Sequence, residues 1–76
     1  MAMFYFDTDD GIAPVTDDDG VETDASEVEA LALRALLEMA MESVQQGADR
    51  FSVSVRSHGG DVVFSAQLAL EVRRPG

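Results

Sequence analysis

Two short clusters of acidic residues are the most chemically distinctive feature of this 76-residue sequence. The first cluster occupies residues 7–10 and the second occupies residues 17–22. Carboxylate oxygens are the ligands that calcium prefers, so a divalent-cation site is one candidate chemistry. The EF-hand spacing is absent, because aligning the loop on Gly11 or Gly20 places Phe6 or Val15 at the first ligand position. The remaining candidate is a weak calcium site of irregular geometry, formed where the two clusters meet.

The same carboxylates are also candidates for binding a protein rather than an ion. Carboxylates in polar turns are ionised at neutral pH, and together they attract a basic surface. The sequence therefore predicts two acidic interaction loops, which contain Asp7, Asp9, Asp10, Asp17, Asp18, Asp19 and Glu22.

Catalytic chemistry has little support in the residue types. The chain has no Cys, and His58 is its single His, so a His/Cys zinc set cannot form. Ser57 precedes His58 directly, but neighbours in sequence do not have the geometry of a catalytic Ser-His pair. Glycine-rich phosphate-binding motifs are absent. We therefore expect no enzyme activity, no catalytic residue, no bound metal of the zinc type and no cofactor.

The net charge is −10, from fifteen acidic residues and five Arg. Residues 1–33 contain ten acids and no basic residue, whereas residues 34–76 contain five of each. A strongly negative field repels nucleic-acid phosphates, and no apolar run approaches the ~18 residues that a membrane span requires. We expect neither nucleic acid nor membrane as a partner. The expected partner is a protein with a basic surface, or a second copy of this chain.

A length of 76 residues accommodates one domain, residues 1–76. A chain this short without disulfides is marginally stable, so a homodimer is a natural source of further stability. Residues 1–4 lack the basic start of a targeting peptide, and Cys is absent. These features favour a cytoplasmic location.

The first half of the chain predicts short strands joined by Asp-Gly turns. Residues 3–6 form an aromatic, strand-forming run that ends in the first acidic cluster. Residues 12–16 predict a second strand, which Pro14 restricts to an edge position. The second acidic cluster predicts another turn, and Val21 and Glu22 then lead into a helix.

Residues 25–46 predict one long helix, because they are rich in Ala, Leu, Met and Glu. Asp24 suits the N-cap and Glu27 completes a capping box, while Gly47 suits the position just after the last turn. Helical periodicity places a core-facing stripe at Leu33, Leu36, Leu37, Ala40 and Val44. The opposite, polar side contains Glu27, Arg34, Glu38, Glu42 and Gln45, with Leu31 among them and Met41 at the margin.

The C-terminal third predicts a β-hairpin around the Gly59-Gly60 step. Alternation with period two gives each strand one buried and one wet face. The inward set is Phe51, Val53, Val55, Val62, Phe64, Ala66, Leu68, Leu70 and Val72. The solvent face contains small or neutral residues, with Met3 and Tyr5 expected beside them: Ser52, Ser54, Arg56, Ser65, Gln67 and Ala69.

These elements predict an α+β fold in the order β-β-α-β-β. A small antiparallel sheet of three or four strands carries one long helix packed on one face, because the helix and the last strand have matching lengths.

The order of the short motifs resembles a family of short bacterial proteins known only as a domain of unknown function. The motifs are Phe4-Tyr5-Phe6, Asp10-Gly11, Asp19-Gly20-Val21-Glu22, Ser54-Val55-Arg56 and Val62-Val63-Phe64. The resemblance covers nearly the whole chain and implies one small α+β unit, without an activity, a cofactor or a site. One position departs from the family pattern, in which an acidic residue often follows the Val-Arg step, because Ser57 stands there in this chain.

The function that these observations favour is a non-enzymatic protein-interaction module or homodimer that presents the acidic loops. The alternative is weak divalent-cation (calcium) binding through the same Asp-rich loops.

Overall fold

One helix packs on one antiparallel sheet in the computed structural model, which describes residues 1–75. The sheet contains β1 (Ala2–Asp9), β2 (Pro14–Val15), β3 (Val21–Thr23), β4 (Arg50–Ser57) and β5 (Val62–Ala69). Helix α1 spans Val28–Ser43, and single 3₁₀ turns extend it at both ends, Ala25–Glu27 and Val44–Gln46. The strand order is β2-β1-β4-β5, and β3 pairs with the same edge of β1 as β2 does. The predicted α+β class is confirmed.

The sheet has five strands rather than three or four, because Val21–Thr23 forms a strand instead of a simple lead-in to the helix. Strand β1 also continues beyond Phe6, so Asp7 and Asp9 lie on a strand and not in a turn. Asp has a low β propensity, but tertiary pairing overrides it. Six consecutive pairs, from Phe4↔Ser57 to Asp9↔Ser52, join β1 to β4. The edge position predicted for the strand that contains Pro14 is correct.

Strand β4 is the centre of the core. Phe51, Val53 and Val55 are buried, as their alternation predicts. The inward residues of β5 are only half-buried, namely Phe64, Ala66 and Leu68. Strand β5 ends at Ala69 because its partner strand begins at Arg50.

Three residues predicted to face inward from the last strand are exposed instead, namely Val62, Leu70 and Val72. Leu70 and Val72 lie beyond the end of β5, and Val62 pairs with Arg56, which faces outward, after the register irregularity. The hairpin itself is confirmed, with a register irregularity between Val55 and Arg56.

Helix α1 faces the sheet through a narrower line of residues than predicted. Val28, Ala32, Leu36 and Ser43 are buried. Leu36 and the half-buried Ala40 agree with the predicted stripe, whereas the other three members, Leu33, Leu37 and Val44, are exposed by 36–55%. Leu31, assigned to the polar side, is half-buried. The physical reason is that the helix carries more apolar residues than a small sheet can cover. No helix within residues 1–75 is both long enough and apolar enough to cross a bilayer.

The two ends of the helical segment differ in how closely they follow the prediction. Gly47 adopts a left-handed φ of 89°, as its position after the last turn requires. At the other end, the Asp24 side chain makes no capping hydrogen bond, so the predicted capping box is wrong. The Glu27 backbone N–H donates instead to the Asp24 carbonyl. The Asp24 carboxylate lies 3.7 Å from the N-terminal ammonium of Met1, which competes for it.

Two adjacent leucines test which side of α1 contacts the sheet. Leu36 is 4% exposed and Leu37 is 55% exposed. We expect Leu36→Ala to lower the free energy of unfolding by about 2–4 kcal/mol, because it opens a cavity in the core. In dilute solution Leu37→Ala should cost less than about 1 kcal/mol. Urea denaturation followed by circular dichroism measures both, and equal losses would contradict the observed helix orientation.

Candidate functional site

Two of the predicted acidic residues, Asp7 and Asp17, come together around one arginine. Arg56 Nε donates to Asp7 Oδ2 at 2.6 Å, and Arg56 Nη2 donates to Asp7 Oδ1 at 3.1 Å. Arg56 Nη2 also donates to the Asp17 carbonyl at 3.1 Å. Asp7 and Arg56 lie diagonally across neighbouring strands, since Tyr5 is the residue opposite Arg56. Their side chains are 26% and 30% exposed. The bidentate ion pair lowers the pKa of Asp7 and raises that of Arg56, because each charge stabilises the other.

Asp17 fastens the segment between β2 and β3 to β1. Its Oδ2 accepts a hydrogen bond from the Phe6 N–H at 3.0 Å. Its Oδ1 accepts bonds from the Asp19 and Gly20 N–H groups at 3.1 and 3.0 Å. Its own N–H donates to Asp7 Oδ1 at 2.9 Å. These backbone donors lower the pKa of Asp17, with the Gly20 N–H as the largest cause. The Asp17 carboxylate thus occupies a position on the β1 edge that no strand fills.

Asp9 and Asp10 organise the loop between β1 and β2. Asp9 Oδ1 accepts from the Gly11 N–H at 2.8 Å. Asp10 Oδ1 accepts from the Ala13 and Ile12 N–H groups at 2.9 and 2.8 Å, and these two bonds lower the pKa of Asp10. The buried Ser43 hydroxyl donates to Asp10 Oδ2 at 3.1 Å, which ties the loop to the C-terminal end of α1. Asp9 therefore shapes the turn itself, whereas Asp10 also joins this loop to the helix.

Aromatic rings lie beside the arginine on the outer face of the sheet. The guanidinium carbon of Arg56 is 5.1 Å from the centroid of the Tyr5 ring, within the range of a cation–π contact. The His58 ring stacks on Tyr5 at a centroid distance of 6.5 Å. Gly20 has a φ of 76°, and a Cβ there would lie 2.8 Å from the Tyr5 ring. The loop therefore crosses close to this face, and only a glycine fits.

The seven predicted site residues thus divide into two groups. Asp7, Asp9, Asp10 and Asp17 use their carboxylates inside the protein, in the hydrogen bonds given above. The second group is exposed, and within residues 1–75 the structure gives its side chains no hydrogen bond or ion pair. Its members are Asp18, Asp19 and Glu22.

The sequence reasoning missed the part that Arg56, Tyr5 and Ser43 play. A signal for two of them was available, because alternation places Tyr5, Asp7 and Arg56 on one face of the sheet.

The structure gives the calcium alternative no ligand set. Among the residues described, no group of three or more His, Cys, Asp or Glu side chains has the arrangement that a metal ion requires. The carboxylates of Asp7 and Asp17 face each other's segments, but the Arg56 guanidinium and backbone N–H groups bind their oxygens.

A shallow groove of about 440 Å³ lies at one end of the outer sheet face. Its lining includes Asp9, Arg50, Ser52 and Gln67, and Asp9 contributes the single carboxylate among its lining residues. Asp9 already accepts the Gly11 N–H. The groove therefore does not bring the acidic clusters together.

A comparison with protein families matches residues 3–69 to the model described as Domain of unknown function (DUF6894). The match spans most of the chain and confirms the resemblance to a domain of unknown function. No curated protein and no solved structure matches the chain.

The three carboxyls with lowered pKa values predict how stability depends on pH. Asp7, Asp10 and Asp17 have folded-state pKa values below the ordinary value of 3.8. Their contribution is complete above the ordinary pKa and is lost as the pH falls through the lower folded values. We expect a melting temperature that declines below about pH 4.

The double variant Asp7→Asn with Asp17→Asn should melt at least about 4 °C lower at neutral pH, which corresponds to a loss of about 1 kcal/mol. Its melting temperature should also decline less steeply in acid, because the linked carboxyls are gone. Asp18→Asn with Asp19→Asn is the matched control and should keep the wild-type pH profile. Differential scanning calorimetry at several pH values measures all three proteins. Identical acid slopes in all three would refute the assignment.

Proposed function

Because the chain belongs to the DUF6894 family, whose domain has no assigned function, we propose a role from its geometry. The domain is a non-enzymatic protein-interaction module that presents an acidic surface to a basic protein surface. The acidic surface consists of Asp18, Asp19 and Glu22. The observation that supports the proposal most is that these side chains are exposed on a segment fastened at both ends.

The fastening matters because it fixes where the exposed charges lie. Asp17 holds the start of the segment through the Phe6 N–H. Strand β3 holds its end, where Glu22 pairs with Met3. Binding at Asp18 and Asp19 therefore costs little conformational entropy in this loop, which is already ordered. Preorganised charges of this kind raise the affinity and the specificity of a polar contact.

The surrounding charge favours a cationic partner. The chain carries a net charge of −10, and residues 1–33 contain no basic residue. Arg56 is the basic side chain bonded to this segment, and Asp7 neutralises it. A one-sided negative field speeds association with a basic surface and disfavours acidic competitors. The expectations of a cytoplasmic location and of no enzyme activity accompany this proposal and stay predictions.

A charge-neutral variant of the acidic surface tests the proposal. We expect the triple variant Asp18→Asn, Asp19→Asn, Glu22→Gln to bind the partner about tenfold more weakly, since exposed ion pairs contribute about 0.2–1 kcal/mol each. The measurement is affinity capture from cell lysate with quantitative mass spectrometry. The partner should also dissociate when salt is raised, because exposed charges are screened over about 8 Å at physiological ionic strength.

The matched control removes the same number of charges elsewhere, with Glu38→Gln, Glu42→Gln and Asp61→Asn. These side chains are exposed and lie outside the acidic surface. The control should capture the same partner as the wild type. If wild type, triple variant and control all capture one identical set of proteins, the acidic surface has no role in binding.

A calcium titration decides between this proposal and its alternative. On the protein-binding proposal, millimolar calcium leaves the melting temperature unchanged. A calcium site predicts a rise that grows with the calcium concentration, because a ligand of the native state stabilises it by mass action. Magnesium at equal ionic strength is the control. A rise specific to calcium that Asp7→Asn with Asp17→Asn abolishes would replace the protein-binding proposal.

A further inference from the structure

The two edges of the sheet are protected very differently. Strands β2 and β3 cover one edge, and the Asp17 carboxylate binds the Phe6 N–H between them. Strand β5 forms the other edge, and no strand among the residues described pairs with its outer side. Its eight residues, VVFSAQLA, include no charged residue and no Pro. Proteins normally protect an exposed edge with charges, Pro or bulges, because an open edge binds another strand. Here the irregularity lies opposite Val55 and Arg56, at one end of β5.

An apolar stripe on α1 lies beside this open edge. Leu33, Leu37, Met41 and Val44 are exposed by 39%, 55%, 73% and 36%. Strands β3 and β4 are both antiparallel to β1, so they run parallel to each other, and α1 connects them. Nearly all such crossovers are right-handed. Each residue of the stripe follows, by one position, a residue of α1 that faces the sheet, so the stripe is rotated by about 100° around the helix axis. In a right-handed crossover this rotation points the stripe toward β5.

Helix α1 covers the inner face of β5 only in part. Phe64, Ala66 and Leu68 are half-buried, whereas the inward residues of β4 are fully buried. The strand edge, these half-buried side chains and the α1 stripe lie on one side of the molecule, with the carboxylate of Glu29 at one end beside Val63 and Phe64. We call this surface the open face.

We propose that a second copy of this chain covers the open face. The two β5 strands pair antiparallel around a twofold axis perpendicular to the sheet, and both helices lie on the same side. A register centred on Ala66 places Phe64 opposite Leu68 on the inner face and Ser65 opposite Gln67 on the outer face. Residues with the same orientation then meet across the axis, as a continuous sheet requires.

The spacing of the helices fits this arrangement. Helix α1 packs over both β4 and β5. Strands lie about 4.8 Å apart, so a helix above the boundary of β4 and β5 lies about 10 Å from its counterpart across the axis. Helices pack at about 8–10 Å. Leu33 of each copy then approaches Met41 of the other, with Leu37 near the axis.

The distribution of charge favours a second copy over a basic partner at this face. Two chains of net charge −10 repel each other wherever their acids meet. Strand β5 has no charged residue, and the acidic surface lies on the far edge of the sheet. Three strand spacings amount to about 14 Å, which exceeds the screening length of about 8 Å at physiological ionic strength. The open face is therefore where two such chains associate with least repulsion.

The accessible surface area of a single chain is larger than expected for a monomer, as a chain with an uncovered interface would have. The chain exposes 5507 Å², whereas a monomeric protein of its mass exposes about 4,500 Å². Part of the difference belongs to residues 70–75, which extend beyond β5. A standard interface covers about 800 Å² of each partner.

Sedimentation equilibrium of the full chain over a range of concentrations tests the proposal. We expect wild-type protein to have twice the 8.2 kDa chain mass. Leu37→Glu should raise the dimer Kd at least about tenfold, because it places a carboxylate in the apolar contact. Ile12→Glu is the matched control, since Ile12 is 58% exposed against 55% for Leu37 and lies in the loop between β1 and β2, at the opposite edge of the sheet from β5. The control should remain dimeric, with circular dichroism unchanged in both variants.

A second variant tests the strand pairing itself. Ser65→Glu with Gln67→Glu places like charges opposite each other across the axis, at positions that are exposed in a single copy. The same rise in Kd is expected. Hydrogen exchange adds a direct measurement, because amides on the outer side of β5 should exchange more slowly in concentrated than in dilute protein.

Three outcomes would overturn the proposal. The first is wild-type protein that stays monomeric at about 1 mM, a Kd weaker than any specific dimer needs. The second is a dimer that Leu37→Glu dissociates while the β5 variant and the hydrogen exchange of β5 show no effect. The third is a monomer whose open face binds a different protein that Leu37→Glu releases. Neutralising the acidic surface should leave the dimer intact, so failure of one proposal is distinguishable from failure of the other.

Discussion

The bidentate contact between Arg56 and Asp7 holds together three segments that are distant in the chain. Arg56 lies on β4, Asp7 lies on β1, and the shared hydrogen bonds to Asp17 bring in the segment between β2 and β3. The guanidinium pairs with the Asp7 carboxylate, and backbone N–H groups bind the Asp17 carboxylate, so each of these charged groups has hydrogen-bond partners. Charge-assisted bonds of this geometry are stronger than neutral ones. The closed edge of the sheet depends on this network, because β2 and β3 are only two and three residues long.

The acidic composition therefore has two physical roles that the composition alone does not separate. The carboxylates of Asp7, Asp9, Asp10 and Asp17 replace secondary structure, since they accept backbone N–H groups that a longer strand or a regular turn would have bonded. The exposed carboxylates of Asp18, Asp19 and Glu22 give the same edge of the sheet a negative electrostatic field. At the opposite edge of the sheet, strand β5 contains no charged residue, is incompletely buried and has no partner strand among the residues described. A small core produces this division, because one helix covers β4 well and β5 only in part.

Local patterns in the sequence were sufficient for much of the fold. Alternation identified Phe51, Val53 and Val55 as core, and Gly47 marked the end of the helical segment. The rotation of α1 was not predictable from periodicity, because Leu36 and Leu37 are equally apolar neighbours and the width of the sheet decides between them. Strand β3 was missed because three residues carry no usable alternation.

The sequence predicted which residues form the acidic loops, but it did not predict which groups their carboxylates bind. Asp7 bonds to Asp17 across 10 residues and to Arg56 across 49. Such contacts depend on the register between strands, which no spacing within one cluster reveals. An Asp in a turn cannot be distinguished by sequence from an Asp in a paired strand. The register Tyr5↔Arg56 supplies the missing information.

The pairing of β1 with β4 has a consequence for the order in which the chain folds. Phe4 pairs with Ser57, about fifty residues later in the chain. Helix α1 and the hairpin of β4 and β5 close through short loops, whereas β1 must search for β4 across the whole helix. Closing so long a loop costs entropy before any contact repays it. During synthesis, β1 therefore waits without its main partner until β4 has left the ribosome. Its aromatic residues are the ones in need of protection over that interval.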